Sequence, residues 1–244
     1  LITGCQFGNL DISGGRPSHG KTSFALNCLL SAMNQHVKTL FLSLEMSKEE
    51  LVTQLLSITS GIQSQKLMNR EIDWEKAQTG CSKLATVPLW IDDQSKTPDE
   101  VLESIHQAIQ NFGVKAIVID YIQLVSFKVA HNQNKGQVVG EFIYRLKHLA
   151  KDLDVHILAV CQLNRDSEKR ADPRPILSDL RESGELEQAA YKVLMAYNDA
   201  VANPEEGESG KLEILVRKNR RGKTGKAVLG FKETTECYNL NQRY

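Results

Sequence analysis

The chain has no excess charge of either sign, since 30 Lys and Arg stand against 30 Asp and Glu. This balance removes any global attraction to nucleic acid, so DNA binding must come from local clusters. Long apolar runs are also missing. Lys115 to Asp120 and Val155 to Val160 are bracketed by charge and far short of a bilayer crossing, and the first residues lack a signal-peptide layout. No Cys-x-x-Cys pair occurs. Cys5, Cys28, Cys81, Cys161 and Cys237 are scattered and odd in number, which argues against zinc ligation or disulfides and for small core residues in a reducing cytoplasmic compartment. Internal repeats and low-complexity segments are absent.

What the chain has is enough apolar residue, 41% of 244, to bury the core of one large α/β domain over residues 1–244. Its organising stretch is Gly15-Arg-Pro-Ser-His-Gly-Lys-Thr22, which fits G-x-x-x-x-G-K-[ST], the phosphate-binding loop. A nucleoside triphosphate needs inward-pointing backbone N–H groups, and glycines such as Gly15 and Gly20 allow that approach. The loop runs into an amphipathic segment bearing Phe24, Leu26, Leu29, Leu30 and Met33, so the phosphates would sit on a helix N-terminus. Gly15, Ser18, His19, Gly20, Lys21, Thr22 and Ser23 are the candidate ATP contacts. Lys21 would reach the β and γ phosphates, and Thr22 would hold Mg²⁺. His19 occupies a variable loop position and is given no catalytic role.

Along the chain, apolar runs and helical patterns alternate. Lys38 to Ser47 reads as a buried-strand run that stops on Glu45, and Ser47 with Glu50 reads as a capping box. A linker with Gly61 precedes a helix over Asp73 to Leu84 and a short strand at Pro88 to Ile91. Thr97-Pro98-Asp99-Glu100 starts the next helix, and Lys115 to Asp120 is a strand. Lys128 to Gly136 reads as a polar loop, followed by a helix to Leu153 and a strand over Val155 to Val160. A second polar loop covers Asp166 to Pro175. The end of the chain offers strands at Lys192 to Tyr197, Leu212 to Val216 and Ala227 to Phe231, the last two joined by the basic stretch Arg217 to Gly225. This is the pattern of a mostly parallel sheet covered on both faces, with antiparallel strands at the C-terminal side.

Ligands of such sheets collect at the carboxyl ends of strands, and several polar residues fall there. Asp120, after Ala-Ile-Val-Ile, fits the carboxylate that orients a Mg²⁺ shell. Glu45 is either a general base for the attacking water or a solvated acid at a helix start. Gln162 is either an amide sensing the γ-phosphate or an ordinary strand end. The cations Arg217, Lys218, Arg220 and Arg221 lie too far along the chain to be assigned to their own nucleotide. They serve either a neighbouring subunit's site or only the surface.

Taken together, Gly15 to Thr22, Ser-Leu-Glu-Met-Ser (Ser43 to Ser47), Val-Ile-Asp-Tyr-Ile-Gln-Leu (Val118 to Leu124), Gln-Leu-Asn-Arg (Gln162 to Arg165), Leu-Ser-Asp-Leu-Arg-Glu-Ser-Gly (Leu177 to Gly184) and Lys-Asn-Arg-Arg-Gly (Lys218 to Gly222) resemble, in order, the RecA-like motor domain of the DnaB family of replicative helicases. The resemblance spans nearly the whole chain. It implies a RecA-like P-loop fold, ATP and Mg²⁺ as cofactors, and a homo-hexamer moving 5′ to 3′ on single-stranded DNA. By the same resemblance Glu45 becomes the base, Asp120 the metal-shell acid and Gln162 the γ-phosphate sensor. Lys218 and Arg220 become the pair acting in trans on the adjacent nucleotide, while Arg181, Glu182 and Gly184 match the segment turned toward the DNA backbone.

Two departures accompany the match. Only Cys5-Gln6-Phe7 separates Thr3-Gly4 from Gly8, a shorter stretch than family members carry, so residues near positions 5–6 are expected to be missing. The family's N-terminal collar, which contacts primase, has no counterpart, and the chain reads as a motor fragment whose full-length relative would meet primase and a helicase loader. Two rivals share the core. A RadA-like recombination ATPase also carries a Lys-Asn-Arg turn, but Ser-Leu-Glu-Met and the lack of a four-cysteine module count against it. A KaiC-like signalling ATPase, moving no DNA, is not separated by fold alone.

Overall fold

The computed structural model describes residues 4, 6–129, 134–164, 170–180 and 183–240. Cys5, beside the expected gap, lies outside the described residues. Strand β1 (Leu10–Gly15) is buried throughout and feeds the glycine-rich loop and helix α1 (Lys21–Met33). Then come β2 (Thr39–Ser43), α2 (Lys48–Ser60), α3 (Ser64–Met68), α4 (Trp74–Ala85) and β3 (Leu89–Asp92). Helix α5 (Pro98–Phe112) leads to β4 (Ala116–Asp120), α6 (Lys135–Asp152) to β5 (His156–Gln162), and α7 (Ser183–Ala189) to β6 (Lys192–Tyr197). The short α8 (Asp199–Ala202) precedes β7 (Lys211–Asn219), β8 (Gly225–Phe231) and β9 (Cys237–Asn239).

These strands form one sheet in the order β3-β2-β4-β5-β1-β6-β7-β8-β9. From β3 to β6 neighbours run parallel, and from β6 onward antiparallel. Both faces of the parallel part are covered, which explains its unbroken apolar runs. Ile117 and Ile119 of β4 pack with Ile105 of α5 and Leu146 of α6. The intervening Val118 points the other way, toward Leu29 of α1 and Leu55 of α2. A third cluster, including Phe24, Leu194, Leu212 and Ile214, seats α1 on the antiparallel side.

Local signals set the helix ends. Ser47 with Glu50, and Thr97 with Glu100, form complete capping boxes, each cap worth about 1 kcal/mol. Gly61 and Gly113 close α2 and α5 at φ 73° and 69°, a backbone region where only glycine is unstrained. Among the described residues no helix is long and apolar enough to cross a membrane.

Several boundaries differ from the sequence reading. Lys135 and Gly136, expected in a loop, begin α6 because Asn134 caps them, its side chain accepting from the Gly136 N–H at 3.0 Å. Strand β5 continues through Cys161 and Gln162 because β1 pairs alongside it up to Gly15. Strand β2 stops at Ser43, so Glu45 lies two residues beyond its end. Strand β7 extends to Asn219 and takes in Arg217 and Lys218, which the sequence reading assigns to a turn, because β6 offers partners down to Lys192. The short elements α3, α8 and β9 have no counterpart in that reading.

Candidate nucleotide site

Adjacent strand ends bring the predicted groups together. Gln162 lies in register with Gly15, and Asp120 with Ser43. After β1 the chain turns through Ser18 at φ 65° and Gly20 at φ 83°. A Cβ on Gly15 would come within 2.9 Å of the Lys21 Cβ, so a side chain there forces the loop open. Lys21, Thr22 and Ser23 form the first turn of α1, whose unpaired N–H groups and dipole favour an anion.

Lys21 is the cation at the centre. Its side chain is only 11% exposed, its Nζ is 3.7 Å from the Glu45 carboxylate, and it lies 5.0 Å from the centre of the Tyr121 ring. Glu45 is half exposed, at 49%, where water can reach it. Leu44 fixes the approach of this segment, its N–H donating to the Asp120 carbonyl at 2.8 Å.

Asp120 is 2% exposed, and its Oδ1 is buried without a hydrogen-bond partner. Burial pushes its carboxyl above the usual carboxylate range, the Lys21 charge and the Thr22 hydroxyl pull it back down, and the Glu45 charge adds to the rise. A buried, unmatched carboxylate oxygen facing a threonine hydroxyl fits a hard, oxygen-seeking cation such as Mg²⁺, which takes few protein ligands beside the phosphates. Tyr121 feels the same surroundings: burial first, then Glu45 and Asp120, raise its phenol.

Gln162 is held by a residue the sequence reading passed over. The Gln123 side chain accepts from the Gln162 N–H at 3.0 Å and donates to its carbonyl at 3.1 Å. No local pattern reveals this pairing, since a side-chain amide meets a distant main chain. The loop residue Arg16 adds a further brace, its Nη1 donating to the Leu163 carbonyl at 3.2 Å. His19 packs on Tyr197, ring centres 5.6 Å apart, and its Nδ1 accepts from the Asn198 N–H at 3.2 Å. Its ring thus ties the loop to the end of β6.

The remaining candidates divide. Lys218 and Arg220 stand at the amino edge of the parallel strands, where Asn219 pairs with Lys192, on the opposite side of the sheet from the phosphate loop. There the Lys218 Nζ donates to the Glu187 carbonyl and the Arg220 Nη2 to the Gln188 carbonyl at 2.8 Å, so both hold the last turn of α7. Gly184 lies exposed in the first turn of α7, while Arg181 and Glu182 fall outside the described residues. A cavity of about 650 Å³ lined by Phe24, Asn27, Leu158 and Tyr238 lies away from this chemistry, on the amino side. A cleft of about 390 Å³ lined by Arg16, His19, Arg170 and Tyr197 opens beside the loop.

A glycine-rich phosphate loop on the central strand of a sheet ordered in this way, with a carboxylate at the next-but-one strand end, defines a RecA-like P-loop nucleotide-binding protein. The chain belongs to the DnaB-like helicase C terminal domain family, whose pattern it matches over residues 1–239. Nucleotide use goes with that membership. Replicative DNA helicase DnaB of Geobacillus stearothermophilus is 36% identical over 253 residues, covering 100% of this chain and 55% of the relative. The Replicative DNA helicase DnaC of Bacillus subtilis strain 168 is 36% identical over 256 residues, with the same coverage of 100% and 55%. Among solved structures, one of a DnaB-like replicative helicase described with its interactions with primase superposes at TM-score 0.91 and 30% identity, over 98% of this chain and 59% of that one. A second solved structure, of an ATPase domain, gives TM-score 0.90 and 30% identity, over 97% of this chain and 86% of that one. The chain thus spans about half the length of the curated relatives it matches.

Proposed function

We propose that this chain is the motor portion of a replicative DNA helicase, in which ATP bound between neighbouring copies of a homo-hexamer is hydrolysed to move 5′ to 3′ along single-stranded DNA in the cytoplasm. One observation carries the reading. Lys21, Glu45, Asp120 and Gln162 gather at the carboxyl edge of the sheet, whereas Lys218 and Arg220 stand at the amino edge. Cations so placed can meet a nucleotide only on another copy, and a head-to-tail contact of this kind makes a ring when its rotation closes.

In this mechanism the loop residues Gly15, Ser18, His19, Gly20 and Ser23 enclose the phosphates, with Lys21 on the β and γ groups. Thr22 and Asp120 would hold Mg²⁺, which supplies positive charge against the phosphate oxygens. Glu45, exposed to solvent and beside Lys21, takes the proton of the attacking water. Arg220 and Lys218 of the adjacent copy stabilise charge growing on the transferred group. Gln162, fastened by Gln123 to the turn after Asp120, senses loss of the γ-phosphate and passes it to the following loop. Arg181, Glu182 and Gly184, further along the chain, would grip the strand backbone. Contacts of this kind are independent of sequence and weaken with salt. In the full-length protein, primase and a loader are the further partners.

Mixed subunits test the reading. Arg220→Ala and Lys21→Ala copies, each inactive alone, should regain strand-stimulated hydrolysis when combined, and no recovery at any ratio overturns a shared site. Stimulation by oligo-dT separates a strand motor from a signalling ATPase, which ignores single strands.

A further inference from the structure

The amino-edge corner that holds Lys218 and Arg220 contains a further cation. Helix α6 runs back to this edge before β5, and Lys147 lies in its C-terminal half, four residues before Lys151. Its ammonium rests 5.3 Å from the centre of the Tyr144 ring, one turn earlier on the same helix. Lys147 lies within electrostatic reach of both Arg220 and Lys218. Burial first, then the charges of Arg220 and Lys151, hold Lys147 below the ordinary lysine range. Burial, Arg220 and Lys147 do the same to Lys218, with Glu187 alone opposing.

Gathering like charges at a partly buried corner is unfavourable unless something negative completes the group. Among the described residues none of Lys147, Lys218 and Arg220 forms an ion pair with a carboxylate. Lys218 and Arg220 are instead directed by main-chain carbonyls of Glu187 and Gln188, which fix their positions without neutralising them. Neighbouring cations, two of them held in place by main-chain carbonyls, suit a polyanion that can contact several at once.

We propose that Lys147 is a third cation of the shared site, acting with Lys218 and Arg220 on the triphosphate bound by the adjacent copy. The proposal rests on the inter-subunit reading above. It extends that reading from the β7 segment to α6, so that the face offered to a neighbour's nucleotide draws on two elements.

Lys147→Met, assayed for oligo-dT-stimulated ATP hydrolysis with Mg²⁺, should lose about ten- to a hundredfold in kcat/KM, the scale of one charge-assisted contact. Lys147→Gln should behave alike and guards against a folding failure of the first variant, while Lys147→Arg should recover most of the loss. Mixing Lys147→Met with Lys21→Ala copies should restore activity, because their defects fall on opposite sides of each interface. Mixing it with Arg220→Ala copies should not, because both defects fall on the same side. Unchanged kcat/KM in both Lys147 variants, while Arg220→Ala still complements Lys21→Ala, overturns the proposal and leaves the shared-site reading standing. A loss that Lys21→Ala copies cannot rescue, or one confined to oligo-dT affinity, also overturns it. Failure of Arg220→Ala to complement Lys21→Ala removes the reading beneath it.

Discussion

Gln123 and Gln162 are joined by two hydrogen bonds, the amide of one closing on both main-chain groups of the other at 3.0 and 3.1 Å. This joins the turn after β4 to the end of β5, and so Asp120 to the residue proposed as sensor. Gln123→Ala should lower stability by about 1–3 kcal/mol, as two such bonds would. It should also reduce the stimulation of hydrolysis by DNA more than it reduces basal ATP turnover. Thermal melts and ATPase assays with and without oligo-dT check this, and equal loss in both assays would make Gln123 merely structural.

Glu45 stands where water reaches it and beside the Lys21 ammonium. Glu45→Gln keeps the size and removes the proposed base, so kcat should fall by about 10²- to 10⁴-fold. Affinity for a fluorescent ATP analogue should stay within a few-fold, as measured by equilibrium titration.

The Asp120 carboxyl is raised by burial. A folded state that takes up a proton more readily than the unfolded chain is favoured as pH falls, so this group's stabilising contribution is lost as pH rises from the ordinary carboxylate value through the raised one. Without nucleotide, wild type should therefore lose stability relative to Asp120→Asn across that window. Adding Mg²⁺ and ATP should raise the melting temperature of wild type far more than that of Asp120→Asn, whose hydrolysis should fall by at least about 10²-fold. Melting curves over pH, with and without Mg²⁺ and nucleotide, measure both effects.

Helix α6 approaches α7 at Gly140, where a Cβ would sit 2.7 Å from the Glu185 Cγ and 2.8 Å from its Oε2. Gly140→Ala should cost about 1–3 kcal/mol by overpacking and weaken oligo-dT binding, because the displaced helix carries Gly184. Adding Glu185→Ala, which removes the Cγ and carboxylate, should return part of the stability in chemical denaturation.

Sequence made the local features plain. Gly15 to Thr22 announces its loop, Ser47 and Glu50 announce their box, and Asp120 ends an apolar run, because each signal lies within a few residues. Tertiary pairing decided what was missed. Lys218 belongs to β7 rather than a turn because β6 continues beside it, and β5 runs two residues past Val160 because Gly14 and Gly15 accompany it. Gln123 and Lys147 act across the fold, and no spacing along the chain encodes either. The opposition of Lys21 and Arg220 across the sheet was likewise hidden until strand order and direction were known.

The central claim is that neighbouring copies complete one another's ATP site and that DNA governs its use. Hydrolysis per molecule, measured as protein concentration rises, with and without oligo-dT and with mass recorded alongside, tests it most directly. The account predicts low turnover for single copies and a rise that follows assembly and is amplified by the strand. Full turnover by solitary copies, unchanged by any strand, would contradict it.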